Sequence, residues 1–145
     1  MIVIDTTVAI SIIHQKISNL QFKKIITTEE NIVITAPSMY EIYYGLFKLK
    51  RKKGQNINEK KWNQELVSIQ KLSKVLSVLP YTLESARISA DIYTELVSKG
   101  ISIDLFDCFI AGTALSHNYN RILTENVKHF ERIPNFNCIE FPLKD

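Results

Sequence analysis

Five short apolar runs separated by helical patterns predict an α/β fold with a central, mainly parallel five-stranded sheet covered by helices on both faces, a three-layer α/β/α arrangement. Each run is rich in Ile, Val or Leu, the composition of a strand buried on both sides. The 145 residues include only 4 Gly and 4 Pro. Long flexible linkers therefore have little room, and the length suits one domain spanning 1–145.

The first expected strand is Ile2–Asp5, continuing directly into a helix over Thr7–His14. Ile32–Thr35 is the second strand. Pro37-Ser38 then introduces a helix whose Ile42, Leu46 and Leu49 form an apolar stripe at i, i+4 and i+7. Gly54-Gln55-Asn56 breaks it, and Asn58 caps a further helix running through Trp62, Leu66, Ile69 and Leu72. Val75–Leu79 is the third strand. Thr82 caps the next helix, with Ala86, Ala90, Tyr93 and Val97 on its inner face and Gly100 at its end. Asp104 caps a helix over Leu105–His117, and Arg121–Thr124 and Cys138–Phe141 complete the sheet. The sequence holds no internal repeat and no low-complexity tract.

Composition excludes several classes. Hydrophobic residues make up 46% and charged residues 23%, ordinary for a soluble globular chain. The net charge of +3 is too small to argue for a nucleic-acid partner by itself. Its distribution is more informative, because Lys48, Lys50, Arg51, Lys52, Lys53, Lys60 and Lys61 crowd one stretch. Cys108 and Cys138 have neither metal-ligand nor disulfide-scaffold spacing and read as reduced thiols of a cytoplasmic protein. The apolar start lacks a basic segment and contains Asp5, unlike a signal peptide, and no stretch is long enough to span a membrane.

Asp5 opens the functional argument. A carboxylate at the end of a doubly buried strand is costly unless a cation or hydrogen bonds satisfy it. In open parallel sheets that position is also where ligands gather. Glu41 follows the second strand and shares a helix face with Gly45 and Lys48, opposite the apolar stripe. On spacing alone, a solvated glutamate near a helix start is the simpler account. Asp104 and Asp107 are three apart at the start of a helix. Asp104 suits a cap, whereas Asp107 stands among Phe106, Cys108, Phe109 and Ile110 and is less obviously a solvent residue. Thr124, Glu125 and Asn126 follow the fourth strand as Asp5 follows the first. Thr124 and Asn126 supply neutral oxygens, although Thr-Glu-Asn also makes an ordinary helix-capping turn.

Asp5, Glu41, Asp107 and Asn126 thus occupy comparable points of successive units near one sheet edge. Close carboxylates there repel by roughly a few kcal/mol per pair at an effective dielectric near 20. A bound cation or shared protons would relieve that repulsion. Oxygen donors without a His/Cys set point to Mg²⁺ or Mn²⁺, and such an ion suits phosphate-ester hydrolysis.

The chain also resembles the PIN-domain nucleases. The resemblance is carried by Ile2-Val3-Ile4-Asp5-Thr6, Tyr40-Glu41-Ile42-Tyr43-Tyr44-Gly45-Leu46, Gly100 followed by Asp107-Cys108-Phe109-Ile110-Ala111-Gly112-Thr113-Ala114, and Leu123-Thr124-Glu125-Asn126 with Phe130 and Ile133 behind it. These motifs stand in family order over almost the whole chain. Compact members of this kind are often VapC-type toxins of type II toxin–antitoxin pairs. The resemblance implies metal-dependent RNA cleavage, with Asp5, Glu41 and Asp107 binding Mg²⁺ or Mn²⁺ and Thr6 and Thr124 as hydroxyls near the ion. It further implies an RNA substrate, an antitoxin partner and a homodimer. The fourth acidic position, often Asp in the family, is here Asn126, and Asp104 could partly compensate for the lost charge.

The basic run, represented by Lys48, Lys50, Arg51, Lys52 and Lys53, would hold RNA phosphates; a solvated helix end explains it equally well. Trp62, Tyr43 and Tyr44 could stack on bases, but core or partner packing is the simpler account. His14, His117 and His129 lack ligand spacing and are assigned no catalytic role. Other classes fit less well. A haloacid-dehalogenase-like phosphatase needs Asp-x-Asp, and Thr7 stands in the second place. A signalling receiver needs an acid after its third strand, where this chain has Leu79-Pro80. The alternative that survives is a non-catalytic PIN-like module binding RNA or protein, motivated by Asn126.

Overall fold

The computed structural model describes residues 1–16, 20, 21, 24, 27, 31–51 and 56–142. Its strands are β1 (Ile2–Ile4), β2 (Ile32–Thr35), β3 (Ser77–Leu79), β4 (Arg121–Thr124) and β5 (Asn137–Glu140). They form one sheet in the order β3-β2-β1-β4-β5. Every pairing is parallel, so the sheet is wholly rather than mainly parallel. From β1 the chain builds outward through β2 and β3, then crosses back to β4 and builds the other way. The strand order therefore reverses between β1 and β4, which pair with Val3 opposite Ile122 and Ile4 opposite Leu123. The carboxyl ends of two such strands open a ligand crevice in folds of this class.

Alternation along β1 assigns its side chains to two cores. Ile2 and Ile4 face α1 (Thr6–Ile13), α2 (Ala36–Lys50) and α3 (Glu59–Val75), packing with Val8, Ile42, Leu46 and Ile69. Val3 faces α4 (Leu83–Ser98) and α5 (Leu105–Ser116), joining Ile92, Leu96, Ile110 and Ile122. A short α6 (Val127–Phe130) seals the second core with Phe130. Each fully buried aliphatic side chain contributes about 1.5–3 kcal/mol, so the layers are held by both faces of one central strand.

Several boundaries differ from the sequence expectation. Val75 ends α3 instead of opening β3, and it is 75% exposed. A short apolar run does not distinguish a helix end from a strand. Here the Leu76 amide still bonds back to the Leu72 carbonyl, and the chain becomes extended only at Leu76. Leu49 is exposed and lies off the buried stripe of Ile42 and Leu46. The α1 helix begins at Thr6, capped by Asp5, and ends at Ile13. The α5 helix stops at Ser116, one residue before the expected His117, and β5 begins at Asn137. Most of the expected break at Gly54-Gln55-Asn56 lies outside the described residues.

The largest correction concerns α4. Its buried residues are Ser85, Ser89, Ile92 and Leu96, whereas Ala90, Tyr93 and Val97 are exposed and Ala86 is half-buried. Two serines sit inside because α5 approaches too closely for larger groups. A Cβ added at Gly112 would lie 2.1 Å from Ser89 Oγ and 2.9 Å from the Ser85 carbonyl oxygen. The buried hydroxyls have partners. Ser89 donates to the Ser85 carbonyl at 2.7 Å, and Ser85 pairs with Ser116 at 2.8 Å. An apolar count rotates this helix by one residue because its inner face is small rather than greasy.

The end of α4 also prepares the site. Gly100 has φ +72°, with its amide bonded to Val97 and the Ile101 amide bonded to Leu96. This Schellman arrangement needs the left-handed conformation that glycine adopts most easily. It turns the chain back toward Asp104, the cap of α5.

Candidate active site

Asp5 is 4% exposed at the carboxyl end of β1. Its Oδ1 accepts the Thr6 amide at 2.7 Å, so the acid also caps α1. Its Oδ2 accepts two hydroxyls at 2.8 Å, from Thr7 and from Thr124. Thr124 is fully buried, and its oxygen in turn accepts the Asn126 amide at 2.9 Å. The Asp5 amide donates to the Leu123 carbonyl at 2.9 Å, extending the β1–β4 ladder to the acid itself. Three charge-assisted bonds explain how the carboxylate is tolerated in the interior.

Glu41 comes from the second turn of α2. Thr35 starts that helix by accepting the Ser38 amide, and proline follows in the first turn. Thr6 Oγ1 donates to Glu41 Oε2 at 2.5 Å, so successive residues, Asp5 and Thr6, reach two different elements. Burial pushes the Glu41 carboxyl up, the Thr6 bond opposes this, and the nearby charges of Asp5 and Asp104 raise it further. Gly45, one turn along from Glu41, leaves open space: a Cβ there would meet nothing within 4 Å.

Asp107 stands in the first turn of α5, behind Asp104, which accepts the Phe106 amide at 2.8 Å. Burial raises the Asp107 carboxyl to about 6, His129 holds it back, and the charges of Asp104 and Asp5 add to the rise. The acids of β1, α2 and α5 therefore share one field. They do not yet share a coordination sphere: among the described residues no three His, Cys, Asp or Glu side chains converge closely enough to enclose an ion. Glu41 is turned to Thr6 and Asp107 to His129.

His129, which the sequence gives no ligand spacing and no catalytic role, stands beside one of the acids. Its Nδ1 lies 3.0 Å from Asp107 Oδ2. The pair is separated by 22 residues and comes from α6 and α5, so no local spacing announces it. Thr7, which the sequence marks only as lacking the second acid of an Asp-x-Asp motif, is another residue at the site, because its hydroxyl bonds Asp5. Asn126 is exposed, its side chain makes no cap, and its backbone amide does the work through Thr124.

The basic run divides. Lys50 lies over the Trp62 ring at 4.5 Å and Lys48 over Tyr44 at 5.7 Å, while Arg51 ends α2. Lys52 and Lys53 lie outside the described residues. Trp62 itself is half-buried and donates its ring N–H to the Leu46 carbonyl at 3.1 Å, a packing role. Two clefts flank the acids. One, of about 510 Å³, is lined by Thr6, Glu41, Tyr40, Tyr44 and Phe106 among others. Here Tyr40 stacks on both Tyr44 and Phe106. The other, of about 350 Å³, includes Asp107, Lys128, His129 and Arg132. No described helix is long and apolar enough to cross a membrane.

Comparison with known proteins agrees with this architecture. Residues 2–135 match the family model described as PIN domain. The chain is 31% identical over 144 residues to a protein named Ribonuclease VapC from Rickettsia bellii, covering 99% of this chain and 98% of that protein. It is 28% identical, at the same coverage, to Ribonuclease VapC1 from Rickettsia felis. Among solved structures, VapBC2 from Rickettsia felis bound to a promoter DNA fragment superposes with a TM-score of 0.78 at 22% identity, covering 97% of this chain and 99% of that one. FitAcB from Neisseria gonorrhoeae gives 0.75 at 21%, covering 97% of each chain. With the motif order, the reversed parallel sheet and a family match over nearly its whole length, the chain belongs to the PIN domain family.

Proposed function

We propose that this protein is a Mg²⁺- or Mn²⁺-dependent endoribonuclease acting as the toxin of a toxin–antitoxin pair. The observation that carries the reading is Asp5, held as a carboxylate by Thr6, Thr7 and Thr124 at the strand-order reversal, with Glu41 and Asp107 in its field. The donor set fits such an ion. It is oxygen-only, as hard divalent cations require, and burial and mutual repulsion disfavour the charges of Glu41 and Asp107. Glu41 and Asp107 are now bonded to Thr6 and His129, and these are the acids that would join Asp5 in holding the ion.

When bound, the ion would activate water and neutralise charge on the phosphate. The chain's own residues do the positioning. Thr124 and Thr7 fix the Asp5 carboxylate, Thr6 restrains Glu41, and His129 restrains Asp107. Water oxygen attacks phosphorus, the bond to the 3′ oxygen breaks, and that oxygen takes a proton. The products are a 5′-phosphate and a 3′-hydroxyl, without a covalent protein intermediate. The relatives' names support ribonuclease activity, and a similar solved structure described as a toxin-antitoxin complex from Klebsiella pneumoniae supports an antitoxin partner; the RNA substrate and a homodimer belong to the same proposal.

A non-catalytic binding module is the second reading, favoured by the exposed neutral Asn126 and by acids that point apart. Structured RNA incubated with Mn²⁺, with and without chelator, separates the two. Cleavage that chelator and Asp5→Asn both abolish supports the nuclease; RNA binding without metal-dependent cleavage supports the module.

A further inference from the structure

We propose that the cleft between α6 and the loop leading into α5 binds the RNA phosphate adjoining the cleaved one, through Lys128 and Arg132. The cleft, about 350 Å³, is lined by Asp104, Asp107 and His129 together with Lys128 and Arg132. It is therefore continuous with the catalytic edge.

The two cations are differently prepared. Arg132 donates from one guanidinium nitrogen to the Ser102 carbonyl at 3.1 Å, which orients the group while leaving further N–H donors available. Lys128 is exposed and makes no hydrogen bond or ion pair among the described residues. The bland account makes both residues counterions of the nearby acids. That account fails on geometry: Asp107 is paired with His129, Arg132 is bonded to the Ser102 carbonyl, and among the described residues neither Lys128 nor Arg132 forms an ion pair with an acid. Two cations face the cleft without being spent on its acid.

The opposite cleft contrasts with this one. It offers the rings of Tyr40, Tyr44 and Phe106 and has no cation among its lining residues, while Lys48 lies over the Tyr44 ring. A phosphodiester chain crossing the acids therefore meets aromatic surface on one side and free positive charge on the other. Only the second side suits a phosphate, which Lys grips as a point charge and Arg as a fork.

The inference rests on the nuclease reading for its placement beside the cleaved bond, but its test does not need cleavage. Affinity of the full chain for single-stranded RNA is measured in chelator at several salt concentrations, for wild type, Lys128→Ala, Arg132→Gln and the remote control Lys74→Ala. Lys128→Ala should weaken binding several-fold at low salt and lower the log–log salt slope by about 0.7, the share of one phosphate contact. Arg132→Gln should act in the same direction, and Lys74→Ala should match wild type. An unchanged slope in Lys128→Ala overturns the proposal, whether the cleft then holds an acidic protein segment or nothing. A lowered melting temperature with an unchanged slope overturns it equally, since the charges are then structural. Absence of metal-dependent cleavage in wild type would reject the nuclease reading alone.

Discussion

Thr124 Oγ1 donates to Asp5 Oδ2 at 2.8 Å across 119 residues of sequence. The bond joins the ends of β1 and β4, the two strands between which the sheet order reverses. Thr124 is wholly buried and also receives the Asn126 amide, so one hydroxyl ties the acid to the turn that starts α6.

Thr124→Val keeps the shape and removes that hydroxyl. A hydrogen bond to a charged group contributes about 1.5–3 kcal/mol, so denaturant unfolding should show a loss of that order. RNA cleavage at a temperature where the variant is folded should fall further, because Asp5 loses a restraint. Wild-type cleavage in a destabilised variant would restrict Thr124 to folding.

Folding raises the Asp107 carboxyl from 3.8 to about 6, and burial is the main cause. Between those pH values the native protein holds more protons at Asp107 than the unfolded chain does. Its contribution to stability is therefore fully present below pH 3.8 and is lost as pH rises through about 6. Subtracting the pH–stability curve of Asp107→Asn from that of wild type should give a difference falling across this window. A flat or rising difference would contradict the burial of Asp107 beside Asp5 and Asp104. Added Mn²⁺ should raise the melting temperature more at pH 8 than at pH 5, as scanning calorimetry can measure.

The α4–α5 crossing gives a purely structural prediction. Gly112→Ala places a methyl against Ser89 and the Ser85 carbonyl. Overpacking of this kind costs about 1–3 kcal/mol. Ser89→Ala should rescue only part of it, since the Ser89 amide nitrogen, 2.8 Å from the added carbon, remains. Full rescue would mean that the helices separate more easily than their backbone contact implies.

Most of the architecture was legible because strand alternation, helix caps and strand-end acids are local signals. Asn58, Thr82 and Asp104 cap their helices as expected, and Asp5 stands at the end of a buried strand. The inner face of α4 was not legible, because close helix approach selects Ser85 and Ser89 over larger apolar residues. His129 was not legible either. Its bond to Asp107 depends on how α6 folds back across the edge of α5, which no spacing encodes. The exposed Asn126 side chain shows the limit of motif matching, since the position contributes its backbone amide rather than its side chain.

The central claim is that Asp5, Glu41 and Asp107 form one divalent-metal site. Mn²⁺ titration by calorimetry, on wild type beside Asp5→Asn, Glu41→Gln and Asp107→Asn, tests it most directly, with circular dichroism confirming that each variant is folded. Saturable binding in wild type, lost in Asp5→Asn and weakened at least tenfold in the other two, is the predicted result. No Mn²⁺ binding by wild type, or equal binding by folded Asp5→Asn, would contradict it.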